Sequence, residues 1–268
     1  MNRRWHPVDV VAGLVALVAF CVIYAPLVVV GMFSVWQPVR VRGSLGLSSP
    51  NFDSYVSLAG NQEILGAVYT TLGIGAAATV IGLTLGTVFA FYYVYTTGLP
   101  RQVMQALIFL PFLLPPIITG LALLVAFREL DLTRGVATIL AGHVVVVVPI
   151  IYRTILVRLT ALNPSLREAS LDLGASNWQT FRYILLPQLR TALIAAALLA
   201  FAVSFDETMV TLFLSGSTST LPIRLWSMMR LGFVPDINAL ATLIVVAAAV
   251  TAICAGLINL RRGTPTRG

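Results

Sequence analysis

Six long apolar runs, separated by shorter polar segments, organise the chain: residues 10–33, 66–95, 103–127, 136–156, 191–214 and 239–260. At about 1.5 Å rise per residue, each is long enough or nearly so to cross a hydrocarbon core of about 30 Å as an α-helix. Backbone donors and acceptors find no water in lipid, so helices that bond internally are the expected form. The pattern predicts an all-α, polytopic membrane protein with about six transmembrane helices, one transmembrane domain covering residues 1–268.

The segments between the runs refine this reading. Asn2-Arg3-Arg4 precedes the first run. A cleaved signal peptide also begins basic, but its apolar part is only about 7–15 residues; the longer run predicts an uncleaved first span. Residues 36–63 are more polar and read as an extramembrane segment with room for a short surface helix. The second run carries Gly82-x-x-x-Gly86, which lets another helix approach closely without saying which one. Gly98-Leu99-Pro100-Arg101 reads as a tight turn. Pro111, Pro115 and Pro116 interrupt the third run and predict a kinked or partly unwound helix, either a packing kink or part of a pathway. Residues 128–134 form a short charged connection. Residues 215–236 are rich in Ser, Thr and Gly, with an amphipathic stretch at 223–231.

Composition excludes a soluble fold. The chain is 58% hydrophobic and 10% charged, against about 45–50% and about 25% in soluble domains. The net charge is +7, and all 17 basic residues are Arg. They are scattered between apolar runs rather than gathered on a solvated face, which argues against a nucleic-acid partner. With both termini inside, Arg3, Arg4, Arg101, Arg153, Arg158, Arg167, Arg182, Arg190, Arg261, Arg262 and Arg267 lie on the inner side. Only Arg40, Arg42, Arg128, Arg134, Arg224 and Arg230 lie outside. That asymmetry predicts cytoplasmic termini, and an even number of spans agrees with it. Cys21 and Cys254 are isolated in apolar runs, and His6 and His143 form no cluster with cysteines or carboxylates. No disulfide framework or metal site is expected.

The segment 162–187 between the fourth and fifth runs carries the most local chemistry. Asn163 or Ser165 can cap a helix that has Pro164 in its first turn, and Ser165-x-x-Glu168 matches a capping box. Leu162, Leu166, Ala169 and Leu173 recur at helical spacing and form one apolar face. Gly174 stands where a left-handed stop is needed. Ser176-x-x-Gln179 is a second capping box, followed by an apolar face of Trp178, Phe181, Ile184 and Leu185, and Pro187 marks entry to the fifth span. Two capped helices joined at one glycine form a stiff lever. Its faces could rest in lipid headgroups or enter a groove of a partner protein.

The order Glu168-Ala169-Ser170, then Gly174, then Ile184-Leu185-Leu186-Pro187 resembles the EAA loop of ABC importer permeases: E-A-A, three residues, G, nine residues, I-x-L-P. Only Ser170, in place of the second Ala, departs from it. The resemblance implies the type I ABC importer permease fold, and a coupling helix docked in a cleft of a separate cytoplasmic ABC ATPase dimer. Asn163, Leu166, Arg167, Glu168, Ala169, Ser170, Asp172, Leu173, Gly174, Ala175 and Pro187 would be the coupling residues. The chain has no G-x-x-x-x-G-K-[ST] loop. It is therefore expected to be no enzyme and to hold no cofactor, with ATP and Mg²⁺ bound by the partner ATPase. The resemblance further implies a second, homologous permease as heterodimer partner, a periplasmic substrate-binding protein docking on residues 36–63 and 215–236, and a bacterial inner-membrane location. A self-contained secondary transporter or channel is the alternative. It would predict more intramembrane charge and internal repeats.

Asn51-Phe52-Asp53-Ser54-Tyr55, Tyr69-Thr70-Thr71-Leu72, Ser204-Phe205-Asp206-Glu207, Leu221-Pro222-Ile223-Arg224 and Asn238-Ala239-Leu240-Ala241-Thr242 are similar to the second permease of spermidine/putrescine importers. A polyamine or related small organic cation is the implied substrate. Related importers carry amino-acid derivatives, opines or aminophosphonates. Phe205, Asp206 and Glu207 are the candidate pathway residues. Asp206 lies about 24 Å along the fifth helix from Arg190, in its outer half. A carboxylate there costs up to about 3 kcal/mol on insertion scales and so faces a cavity or a partner. Contact with Arg224, Arg230 or the sister permease is the alternative role. Neighbours on a helix point about 100° apart, so Asp206 and Glu207 are not expected to line one pathway together.

Overall fold

A computed structural model describes residues 7–36, 38–41, 44–230 and 235–262. Asn2-Arg3-Arg4, His6, Arg42 and Arg267 lie outside the described residues. The apolar runs fold as helices: α1 (Pro7–Val35), α3 (Gln62–Tyr95), α4 (Leu99–Leu113) with α5 (Pro116–Glu129), α6 (Val136–Thr160), α9 (Leu186–Asp206) with α10 (Met209–Leu214), and α12 (Pro235–Arg262). Among the described residues four helical stretches are long and apolar enough to cross a membrane, and the bent α4–α5 pair makes a fifth. The amphipathic stretch before the last run folds as α11 (Leu221–Arg230), and the expected sixth span, α12, holds a shorter apolar stretch at Asp236–Val250. The expected turn at 98–101 is tighter than the sequence suggests: Gly98 takes φ 83°, and Leu99 and Pro100 already form the first turn of α4.

The chain divides into two compact units, residues 1–65 with 225–268, and residues 66–224. In the first, α1 runs beside α12, and α2 (Asp53–Gly60) packs on α12. Tyr55 Oη donates to Ser34 Oγ at 2.7 Å, and Ser57 Oγ donates to Asp236 Oδ2 at 3.1 Å. The polar segment after α1 holds α2 and also an antiparallel hairpin, β1 (Pro38–Val41) and β2 (Ser44–Leu47), with Val41 opposite Ser44. Among the described residues the hairpin is the one departure from an all-helical reading, and it lies in the segment expected outside the membrane. Residues 11–29 of α1 are all exposed. An apolar helix bare on this scale is a surface for lipid or another chain.

The second unit is built around α6. Buried Ile151, Tyr152 and Ile155 of α6 pack with Leu189, Ala196 and Ala200 of α9, and with Ala90 of α3. The Gly82/Gly86 pair settles which helix it receives. A methyl carbon at Gly82 would lie 2.8 Å from Val147 Cγ2, and one at Gly86 2.7 Å from Ile151 Cγ2 and 3.0 Å from the Tyr152 backbone nitrogen. The bare glycine face therefore seats α6 against α3.

Both breaks in this unit have local causes. Leu114 precedes Pro115 and Pro115 precedes Pro116, and a residue before proline is forced out of the helical region. Leu114 (ψ 144°) and Pro115 (ψ 137°) are extended, and α4 meets α5 at a bend of 111°. Thr119 Oγ1 donates to the Pro111 carbonyl at 3.3 Å, satisfying the acceptor that Pro115 cannot serve. The fifth run is also broken, where a continuous helix was expected. Glu207 is extended (ψ 106°) between α9 and α10, and the two half-helices α5 and α10 pack together.

Candidate coupling loop and pathway carboxylates

Helix α7 (Ser165–Asp172) follows the fourth span. Asn163 caps it, its Oδ1 accepting from the Ser165 backbone nitrogen at 3.1 Å. The capping box expected from Ser165 and Glu168 does not form, because Ser165 is already the first residue of the helix and Pro164 stands at the cap position. The end is as expected. Gly174 takes φ 84°, its nitrogen donates to the Leu171 carbonyl at 2.9 Å, and the Ala175 nitrogen donates to Ser170 at 3.1 Å. That pair of bonds is a Schellman stop, which a residue with a Cβ would strain.

The second capping box forms in both directions. The Ser176 backbone nitrogen donates to Gln179 Oε1 at 2.7 Å, and the Gln179 nitrogen donates to Ser176 Oγ at 3.2 Å. The helix it starts, α8 (Asn177–Gln179), is not a separate second arm. It continues through a π-helical turn, Thr180–Leu185, into α9. Pro187 accounts for the wide turn: its ring would clash with the carbonyl four residues back in a regular helix, and it has no N–H to give. The Leu186 nitrogen instead reaches back to the Phe181 carbonyl, and Gln188 Nε2 donates to the Ile184 carbonyl at 3.2 Å. The loop is therefore joined to the fifth span by one continuous helical segment.

The loop residues separate into two sets. Leu166, Glu168, Ala169, Asp172 and Leu173 are exposed, Leu173 at 89%. Arg167 and Ser170 turn inward. Ser170 Oγ lies 3.0 Å from Thr180 Oγ1, which is buried, and Arg167 Nη2 donates to Asn177 Oδ1 at 3.4 Å. The Arg167 guanidinium also stacks 4.7 Å from the Tyr95 ring centroid. Asn163, Gly174 and Ala175 shape the ends of α7, while Pro187 lies apart, in the first turn of α9.

The three pathway candidates also part company. Asp206, the last residue of α9, is exposed, and its backbone carbonyl accepts from Thr208 Oγ1 at 3.1 Å. Phe205 is half-buried and lies 6.2 Å from Phe201, ring to ring. Glu207 turns back onto the chain, its Oε1 accepting from the Val210 nitrogen at 2.9 Å, and so caps α10. The break has a sequence signal: three polar residues, Asp206-Glu207-Thr208, able to cap a helix stand inside an apolar run. Nothing local marks His143 as the residue that bridges this break. It sits buried on α6, with Nδ1 2.7 Å from Ser204 Oγ on α9 and Nε2 2.8 Å from Thr211 Oγ1 on α10. It packs, as expected, but as a polar bridge across the helix break.

Residues 78–261 match the family of binding-protein-dependent transport system inner membrane components. The chain belongs to that family. The permease is 32% identical over 255 residues to the putrescine transport system permease protein PotI of Escherichia coli strain K12, covering 92% of this chain and 90% of the relative. It is 28% identical over 245 residues to the spermidine/putrescine transport system permease protein PotC of Haemophilus influenzae, covering 90% and 93%. Its fold matches that of a bacterial ABC transporter involved in import of the acidic polysaccharide alginate, with a TM-score of 0.73, 15% identity and 96% coverage of both chains. The permease is thus a helical subunit of a binding-protein-dependent ABC importer, not a self-contained secondary transporter or channel.

Proposed function

We propose that this permease forms half of the translocation pathway of an ATP-driven importer for a polyamine or a related small organic cation. Asp206 carries the reading. It is an exposed carboxylate at the C-terminal end of a spanning helix, which would be the outer half with both termini inside, where charge is costly unless it meets a cavity, a partner or a cation. The C-terminal carbonyls of α9 point the negative end of the helix dipole at the same place. An ammonium group of the substrate would meet both. The names of the PotI and PotC relatives support the polyamine class.

A substrate-binding protein on the periplasmic side would deliver the cation, docking on residues 36–63 and 215–236. A second, homologous permease would complete the pathway. A cytoplasmic ATPase dimer, holding ATP and Mg²⁺, would receive the exposed face of α7, and its closure would drive alternating access. Both chain termini would be cytoplasmic. In this scheme Glu168, Asp172 and the apolar Leu166, Ala169 and Leu173 meet the ATPase, while membrane lipid covers much of α1.

Copurification tests the assembly: the tagged permease should bring an ATPase and a second permease from the native membrane. The complex in proteoliposomes, with its binding protein, should then accumulate radiolabelled putrescine or spermidine in an ATP-dependent manner. Absence of the ATPase would overturn the coupling assignment. Uptake of an aminophosphonate or an opine in place of polyamines would overturn the substrate class.

A further inference from the structure

Five side chains join the loop to the end of the second span. Phe91 and Tyr95, in the last turns of α3, lie 6.0 Å apart, ring to ring. Phe91 meets Phe181 of the π-helical turn edge-on, at 5.3 Å and 77°, and Phe181 meets Trp178 at 5.4 Å. At the other end of the row, Arg167 of α7 stacks over Tyr95 at 4.7 Å. The row thus begins on α7, crosses α3 and returns to the segment that leads into α9.

Three features make it a brace rather than incidental packing. Both halves of the loop reach α3, α7 through Arg167 and the α9 side through Phe181. The two halves are also bonded to each other, by Ser170 with Thr180 and by Arg167 with Asn177. And α3 is seated on α6 through Gly82 and Gly86, while α9 packs on the same α6. A displacement at α7 therefore has two routes into the bundle, along α9 and through α3. Aromatic and cation–ring contacts are directional enough to carry a push without a covalent link, and coupling travels through such contiguous contacts.

We propose that Phe91 and Tyr95 are positioning residues of α3 that receive the motion of the coupling loop, so that the loop drives the second and fifth spans together. This rests on α7 being the element that docks the ATPase. The two aromatic side chains do not touch substrate or nucleotide; they act through Arg167 and Phe181.

The test uses the complete complex, in proteoliposomes with its binding protein, and reads substrate transported per ATP hydrolysed. A ratio on the assembled complex does not depend on yield. F91L and Y95L keep apolar bulk and remove the rings; Y95F keeps the ring. The expected result is a fall of about tenfold in transport per ATP for F91L and Y95L, the scale on which coupling between sites is felt. The ATPase should still copurify, and Y95F should behave as wild type. An unchanged ratio in both F91L and Y95L would overturn the proposal. So would loss of ATPase binding in Y95L, which would make the ring part of the docking site. Failure of the wild-type permease to bring down an ATPase would instead remove the reading on which the proposal stands.

Discussion

His143 Nε2 lies 2.8 Å from Thr211 Oγ1, and the Thr211 hydroxyl donates its own hydrogen to the Glu207 carbonyl, also at 2.8 Å. With that hydrogen committed, Thr211 accepts from the imidazole, so Nε2 carries a proton, while Nδ1 lies 2.7 Å from Ser204 Oγ. One side chain of α6 thereby ties the end of α9 to α10 across the break, with both ring nitrogens hydrogen-bonded.

H143L removes both buried bonds and should lower stability by about 1–3 kcal/mol. H143Q, which can still donate to Thr211, should lose less. Thermal unfolding of the purified permease in detergent reads the difference; equal midpoints for H143L and wild type would show that the bridge carries no stability.

The α3–α6 contact should tolerate no side chain at Gly86. A Cβ there meets Ile151 Cγ2 at 2.7 Å and the Tyr152 backbone at 3.0 Å, and backbone cannot rotate away. G86V should cost about 1–3 kcal/mol or more through overpacking. Gly73 has nothing within 4 Å of its would-be Cβ, so G73A is the matched control and should unfold at or above the wild-type midpoint. The same thermal measurement compares the two.

Asp206 and Glu207 should separate by phenotype. D206N removes an exposed charge and should leave stability unchanged while raising the concentration of cation needed for half-maximal uptake by about tenfold, or about 1.4 kcal/mol. E207Q keeps an acceptor for the Val210 nitrogen and should transport normally. E207A loses the cap and should cost about 1 kcal/mol of stability. Uptake titrations and thermal unfolding on the same preparations distinguish the two carboxylates.

On the coupling loop, E168K reverses a charge on the exposed face of α7, and G174D places a side chain where φ is 84°, at a cost of about 1–2 kcal/mol. Both should insert normally in the membrane and lose transport, with less copurifying ATPase. Wild-type ATPase recovery in E168K would argue against docking at this face.

The hydrophobic pattern was enough to show that the apolar runs are helical, because crossing lipid demands long apolar runs and internal backbone bonding whatever the neighbours are, but it did not show the break at Glu207. The stop at Gly174, the box at Ser176 and Gln179, and the break before Pro116 were legible for the same kind of reason: each is dictated by residues within a few positions. The EAA register was legible as a linear motif. Tertiary structure decided what linear spacing cannot hold. Gly82 and Gly86 announce a close approach, but only packing names α6 as the helix received. The break at Asp206-Glu207-Thr208 is local, Glu207 reaching the Val210 nitrogen three residues on, but the residue that bridges it is not. Nothing near His143 in sequence points to Ser204 or Thr211, 61 and 68 residues away. Arg167 stands among the expected coupling residues but turns toward Tyr95 rather than outward, because a helix face is assigned by what it packs against and not by the order of its residues.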